Sequence, residues 1–90
     1  MRLPEIEWDE RKRAINLQKH QLDFEDARRL DWDTATIVED VRYAYPERRF
    51  WAFVRRDGRF YVVTFCYRGV KLRVISFRRA HMKEVKKHVA

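Results

Sequence analysis

The chain has 90 residues, of which 46% are hydrophobic and 14% aromatic, which excludes an intrinsically disordered protein and predicts a single domain over residues 1–90. The one cysteine, Cys66, excludes a disulfide framework, and no apolar run approaches the ~20 residues of a membrane-spanning helix. The net charge is +7, and residues 46–90 hold 13 basic and only 3 acidic side chains, which predicts a positive surface suited to phosphates or an acidic partner.

The N-terminal segment predicts a short strand followed by a helix. Residues 5–8 alternate in polarity, and Asp9 is a suitable N-cap for a helix over about residues 10–21. The apolar residues expected to form the core stripe of this helix are Ala14, Ile15, Leu17 and Leu22. A neighbouring arc of the same helix carries the polar side chains Lys12, Asn16, Lys19 and His20.

A second helix is predicted after Asp23, which is another suitable N-cap. Acidic residues in its first turn and arginines near its end complement the helix dipole. Its apolar face consists of Phe24, Ala27 and Leu30. Residues 31–47 combine strand-like and acidic residues, and we expect a connection that holds at most a short strand.

The C-terminal half predicts an antiparallel sheet. Residues 48–55 and 59–67 are rich in aromatic and β-branched types, and the Asp57-Gly58 pair between them predicts a type I′ hairpin turn. A third strand is expected over 72–78 and a short helix over 80–89. The predicted order is β-α-α-β-β-β-α, an α+β fold with two N-terminal helices and a short C-terminal helix on an antiparallel sheet.

The hairpin turn determines which side chains share a face of the sheet, because a two-residue turn pairs Arg56 with Arg59. The apolar face, expected to carry the helices, holds Phe50, Ala52, Val54, Tyr61, Val63, Phe65 and Tyr67. The mixed face, expected to form a binding cleft, holds Arg49, Trp51, Phe53, Arg55, Phe60, Val62, Thr64, Cys66 and Arg68.

The register of the third predicted strand stays open. A two-residue loop at Gly69-Val70 places Arg73 on the mixed face. A three-residue loop places Ser76 and Arg78 there instead. In both cases several arginines converge on one side of the sheet.

Few kinds of catalytic chemistry fit the residues of this sequence. The three histidines are poorly spaced for a zinc site, no phosphate-binding glycine motif is present, and Cys66 is interpreted as packing. RNA cleavage needs only a few protein groups, because the 2′-hydroxyl of RNA is itself the nucleophile. Arginines can stabilise the charge that develops at phosphorus, and Lys19, His20 or Glu47 can move a proton.

A series of short motifs runs over about residues 6–88. Its members are Trp8-Asp9-Glu10, Lys12, Asn16, Lys19-His20, Phe24 to Ala27, Glu47-Arg48-Arg49, Arg68-Gly69, Arg73 to Ala80 and Lys83-Glu84. The series resembles the BrnT family of toxins from bacterial type II toxin–antitoxin pairs. Gln21, Pro46 and His88 differ from the residues that the family commonly has at those positions.

The resemblance implies a RelE-like fold, with helices packed on a curved antiparallel sheet. It implies a metal-independent ribonuclease, without a cofactor, that inhibits translation. It also implies neutralisation by BrnA, a ribbon-helix-helix antitoxin through which the toxin contacts DNA only indirectly. By match to the family motifs, the catalytic candidates are Lys19, His20, Glu47, Arg49, Arg68 and Arg78. The candidates for RNA binding are Arg73, by the same match, and Trp51 and Arg55, from the interleaving of rings and arginines.

Two other functions are compatible with the same residues. A binding module could hold RNA or an acidic protein through the basic face without cutting it, and a third possibility is a structural subunit of an oligomer. The N-terminus lacks the apolar core of a secretory signal, so a cytoplasmic location without membrane contact is expected.

Overall fold

The computed structural model describes residues 3–89 and contains one five-stranded sheet. The strands are β1 (Ile6–Trp8), β2 (Thr36–Asp40), β3 (Arg49–Arg56), β4 (Arg59–Arg68) and β5 (Lys71–Arg79), in the spatial order β1-β5-β4-β3-β2. The helices are α1 (Glu10–His20), α2 (Met82–His88) and two 3₁₀ helices, Phe24–Arg29 and Trp32–Thr34.

The α+β class is confirmed, but the predicted order β-α-α-β-β-β-α and the expectation of an antiparallel sheet are each wrong in one respect. The connection contains a full strand, β2, which pairs antiparallel with β3 at the sheet edge. Its acidic residues fit there because Glu39 pairs with Arg48, with a distance of 2.7 Å between Oε1 and Nη2. The sheet is also not wholly antiparallel, since β1 pairs parallel with β5.

The apolar face of the sheet carries the main core, as predicted. Phe24 and Ala27 of the first 3₁₀ helix are fully buried against it, and Asp23 caps this helix by accepting a hydrogen bond from the backbone N–H of Glu25. The strand residues in this core are Ile6, Ala52, Val54, Val63, Phe65, Leu72, Val74 and Phe77. The second predicted helix therefore exists in position and packing, although its winding is 3₁₀.

The side chains at the centre of the mixed face are also buried, contrary to the expectation of an open binding cleft. Phe53 and Val62 are 1% and 0% exposed. They lie on the side crossed by α2, whose His88 ring stacks on Phe53 with 5.4 Å between centroids. An open surface on this face is therefore confined to its margins.

Helix α1 begins at the predicted N-cap, where Asp9 accepts a hydrogen bond from the backbone N–H of Lys12. Its predicted core stripe is wrong except for Leu22, which packs against the core. Ile15 and Leu17 are 57% and 45% exposed, whereas Asn16 is 5% exposed. The reason is the position of α1, which continues along the edge of β5 beyond the short β1 and meets backbone groups there instead of an apolar surface.

Asn16 completes the hydrogen bonding of that strand edge. Its Nδ2 donates to the carbonyl oxygen of Phe77 at 2.9 Å, and its Oδ1 accepts from the Phe77 N–H at 3.0 Å. Nδ2 also donates to the carbonyl oxygen of Leu22 at 3.0 Å. One amide side chain therefore fixes α1 against β5 in the way that a paired strand would.

The two turns of the sheet are both two-residue turns. Asp57 and Gly58 have φ angles of 53° and 76°, which confirms the type I′ prediction, and Arg56 pairs with Arg59. At the second turn Arg68 pairs with Lys71, which puts Arg73 on the mixed face.

A β-bulge resolves the alternative registers of β5. Thr64 pairs with Ser76 and Phe65 with Val74, which leaves Ile75 as an extra residue. Beyond this bulge the alternation of side chains is reversed, so Arg78 also lies on the mixed face. The two alternatives left open by the sequence are thus both realised, one on each side of Ile75.

Candidate functional site

A cavity of about 80 Å³ lies beside α1, at the start of β3 and near the β4–β5 turn. Its lining contains four cationic side chains, one carboxylate and one thiol. The lining residues are Lys12, Pro46, Glu47, Arg49, Cys66, Arg68, Arg73 and Ile75. We call it the arginine cavity.

Glu47 is the acidic group of this cavity and is held by Arg68. The Nη2 atom of Arg68 donates to Oε1 at 2.8 Å, and its Nε donates to Oε2 at 3.3 Å. Interaction with the Cys66 thiol and these hydrogen bonds from Arg68 lower the pKa of Glu47. The carboxylate is therefore ionised at neutral pH and can accept a proton.

The other two arginines of the cavity are less strongly paired. Arg73 lies 3.7 Å from Glu7 and 4.0 Å from Asp9, distances too long for strong hydrogen bonds. Arg49 has no ion-pair partner among residues 3–89, and its guanidinium lies 4.5 Å from the ring centroid of Tyr45. Arg49 can therefore bind an anion without first losing a carboxylate, and Arg73 has only these two long ion pairs to exchange.

The thiol of Cys66 is part of the arginine cavity although the residue is only 3% exposed. Burial, with the neighbouring Glu47 carboxylate, raises the pKa of the thiol. A neutral, buried thiol is a poor nucleophile. Cys66 therefore serves as a small packing residue, as expected from the sequence, that also contacts the carboxylate.

A second group of candidates lines a separate cavity of about 280 Å³ at the C-terminal end of α1. Its lining residues are Lys19, His20, Gln21, Arg78, Arg79 and His81. Burial, and the nearby charges of Lys19 and Arg78, lower the pKa of His20. The neutral imidazole is therefore favoured. We call this the histidine cavity.

Arg78 is held in the histidine cavity by Glu84 of α2. Two parallel hydrogen bonds of 2.8 Å join its Nη1 and Nη2 atoms to the carboxylate, which also accepts the backbone N–H of His81 at 2.8 Å. Hydrogen bonding from Arg78 lowers the pKa of Glu84 to about 2. The pair therefore joins β5 to the start of α2.

Comparison with known protein families identifies the family to which this chain belongs. Residues 8–84 match the family model described as "Ribonuclease toxin, BrnT, of type II toxin-antitoxin system". The chain belongs to the BrnT family. No curated protein matches the chain. The family is one of ribonuclease toxins, so an RNA substrate and an antitoxin partner follow from membership.

The residues predicted from the BrnT resemblance fall into two groups instead of one. Glu47, Arg49, Arg68 and Arg73 meet in the arginine cavity, whereas Lys19, His20 and Arg78 meet in the histidine cavity. Arg73 and Arg78 lie on one strand with the Ile75 bulge between them, roughly 13–16 Å apart at ~3.3 Å per residue. The two cavities therefore face the same side of the molecule.

The structure separates Trp51 and Arg55 from both cavities. The ring of Trp51 packs against the ring of His88, with 5.7 Å between the ring centroids. The guanidinium carbon of Arg42 lies over the Trp51 ring, 4.7 Å from its centroid. Arg55 is exposed near the hairpin turn and pairs with Phe60. Neither residue lines the cavities that hold the other candidates of this BrnT chain.

Several residues that line the two cavities were not among the predicted site residues, and neither was Glu84, which holds Arg78. Lys12 precedes Lys19 by two helical turns, and this spacing was a usable signal for a shared side of α1. Cys66 shares the mixed face with Arg68, but its contact with Glu47 depends on how the segment before β3 folds back. Glu84 lies on a different element from Arg78, so no local pattern could join them.

Two kinds of feature are absent from the residues that the structure describes. Within residues 3–89, no three histidine, cysteine, aspartate or glutamate side chains are grouped so that they could hold a metal ion. Over the same residues, no helix has the length and apolar character needed to cross a bilayer.

The Arg78–Glu84 pair predicts a pH-dependent contribution to stability. Because the pKa of Glu84 is about 2 in the fold, its contribution is complete above the ordinary glutamate pKa and is lost as the pH falls toward 2. We expect Glu84→Gln to lower the free energy of unfolding by about 2 kcal/mol at pH 7. Urea denaturation followed by circular dichroism at pH 7 and pH 3 should show this difference shrinking at the lower pH. A difference that stays constant would contradict the assignment.

Proposed function

We propose that this BrnT-family chain is a metal-independent endoribonuclease that cuts RNA in the arginine cavity. The observation that supports this most strongly is the convergence of Arg49, Arg68 and Arg73 around the Glu47 carboxylate. These guanidinium groups can supply the positive charge that a metal ion supplies in other nucleases. A single ionised carboxylate among them provides the proton acceptor.

The proposed reaction uses the nucleophile of the substrate. The 2′-hydroxyl oxygen attacks the adjacent phosphorus while its proton passes to the carboxylate of Glu47. Arg49 and Arg73 stabilise the charge on the non-bridging oxygens, and Lys12 donates a proton to the departing 5′-oxygen. The bond from phosphorus to the 5′-oxygen breaks, which leaves a 2′,3′-cyclic phosphate and a 5′-hydroxyl.

The histidine cavity is proposed to hold another phosphate of the same strand. Lys19 and Arg78 provide positive charge, and the neutral imidazole of His20 can donate a hydrogen bond to a phosphate oxygen. Arg55, exposed near the hairpin turn, is proposed as a further contact to the RNA backbone. Trp51 is assigned a packing role because both His88 and Arg42 contact its ring.

We further propose a RelE-like fold, a cytoplasmic location and neutralisation by a BrnA-type ribbon-helix-helix antitoxin, through which alone DNA is contacted. An acidic segment of the antitoxin that covers the arginine cavity would compete directly with RNA phosphate. The cations of this cavity suit such a segment, and residues 46–90 hold 13 basic and 3 acidic side chains.

Cleavage of a defined single-stranded RNA in excess EDTA tests the proposal. We expect wild type to cut and to leave 2′,3′-cyclic phosphate ends, and Arg49→Ala to cut about 10²-fold more slowly. Arg29→Ala is the matched control, because it removes the same charge from an exposed side chain on the first 3₁₀ helix.

Each component of the proposal has an outcome that contradicts it. Loss of wild-type cutting in EDTA, restored by magnesium, would contradict metal independence. Equal rates for Arg49→Ala and Arg29→Ala would contradict cleavage in the arginine cavity. Tight RNA binding without any cleavage, with or without magnesium, would instead support the non-catalytic binding module.

A further inference from the structure

We infer that the loop formed by residues 41–48 binds an unpaired nucleobase of the RNA, with the Tyr43 ring as the stacking surface. The inference rests on the proposed function, since the base belongs to a strand whose phosphate occupies the arginine cavity. It adds a binding surface for a nucleobase and a residue that no sequence motif indicated.

The first observation is a cavity of about 190 Å³ formed by this loop and the end of β2. Tyr43 and Tyr45 line it, and so does Glu47, which also lines the arginine cavity. The two cavities therefore adjoin at the proposed proton acceptor. A nucleotide whose phosphate lies in one cavity is placed with its base near the other.

The second observation is that hydrogen bonds and an ion pair brace both ends of the loop, which has no regular secondary structure. The Asp40 carboxylate, 2% exposed, accepts hydrogen bonds from Arg42 Nε and Nη2 at 3.0 Å and from the hydroxyl of Tyr45 at 2.7 Å. Hydrogen bonding from Arg42 lowers the pKa of Asp40 to about 2. At the far end of the loop, Arg48 is paired with Glu39.

The third observation is an exposed aromatic ring on this braced loop. Tyr43 is 66% exposed, yet its ring is oriented by an edge contact with Tyr45 at 5.7 Å and by the guanidinium of Arg42 at 5.4 Å. Tyr45 in turn contacts Arg49 of the arginine cavity. A fixed, solvent-exposed ring costs little entropy when a planar ligand stacks on it.

A nucleobase is the ligand that these features fit best. Every base has a flat π-face, and stacking on an exposed tyrosine requires the base to be unpaired. The adjoining cations bind the phosphate that the base carries with it. We therefore expect binding of single strands and little contribution of Tyr43 to duplex RNA.

A binding assay separates this inference from the cleavage proposal. The probe is a fluorescein-labelled single-stranded RNA in which 2′-O-methyl groups block the nucleophile, followed by fluorescence anisotropy. We expect Tyr43→Ala to weaken binding about 5- to 100-fold, and Tyr43→Phe to stay within about 2-fold of wild type. Tyr67→Ala, which removes a tyrosine 50% exposed on the apolar face, is the matched control.

Removal of single bases from the probe gives the decisive readout. At one position of the RNA, an abasic nucleotide should weaken binding to the wild-type protein by the same factor as the Tyr43→Ala substitution weakens binding of the intact RNA. The same abasic nucleotide should not further weaken binding to the Tyr43→Ala variant. Equal affinity of Tyr43→Ala and wild type, or equal losses for Tyr43→Ala and Tyr67→Ala, would overturn the inference. Because the probe cannot be cut, a failure of cleavage with unmodified RNA would overturn only the proposed function.

Discussion

Substitution of Glu47 by glutamine is expected to slow RNA cleavage by about 10²–10⁴-fold while RNA affinity stays within a few fold of wild type. Glutamine has nearly the same shape and can still accept a hydrogen bond from Arg68, but it cannot take the proton of the 2′-hydroxyl. Single-turnover cleavage with saturating protein measures the chemical step, and anisotropy with the 2′-O-methyl RNA measures binding.

The pH dependence of the same reaction identifies the proton acceptor. Since Cys66 and Arg68 lower the pKa of Glu47, the carboxylate stays ionised as the pH falls, and the rate should persist from pH 8 to about pH 5. His20→Gln serves as the control in the histidine cavity, with an expected rate loss below about 10-fold. A larger loss from His20→Gln than from Glu47→Gln would move the proton acceptor to the histidine cavity.

Asn16→Ala is expected to lower the free energy of unfolding by about 2–4 kcal/mol, a large share of the ~5–15 kcal/mol of a small domain. The substitution leaves the buried N–H and carbonyl oxygen of Phe77 without their side-chain partner and frees α1 from the edge of β5. Urea denaturation followed by circular dichroism gives the loss directly.

Ile15→Ala is the matched control for this stability measurement. Ile15 is the neighbouring residue on α1 and is 57% exposed, so its loss should cost less than about 0.5 kcal/mol. Hydropathy alone predicts the opposite ranking of the two variants. Equal losses, or a larger loss for Ile15→Ala, would show that α1 packs through its apolar residues after all.

Local signals in the sequence were sufficient wherever neighbouring residues determine the structure. The Asp57-Gly58 pair fixes a turn because both positions need positive φ, and the φ angles of 53° and 76° in the structure agree with this requirement. Asp9 and Asp23 cap their helices through bonds to residues two or three positions away. The spacing of Phe24 and Ala27 likewise predicted the face that is buried in the core.

The sequence also predicted several of the residues that line the candidate site, but it did not predict that they are divided between two cavities. The motif match selected residues that line the two cavities, because charge and residue type are properties of the sequence itself. Their grouping depends on the bulge at Ile75, which brings both Arg73 and Arg78 to the mixed face. The position of a bulge depends on how two whole strands pair, and no single residue type predicts it.

The sequence by itself thus determined most of the helices and strands, the register of the β3–β4 hairpin and the family, each of which depends on residue types and short spacings. Only the tertiary structure decided that Asn16 is buried while Ile15 is exposed, that β2 joins the sheet, and that Arg78 binds Glu84. These outcomes depend on which distant backbone or charged group a side chain meets. A polar residue is buried when such a partner satisfies it, and that partner is supplied by the fold.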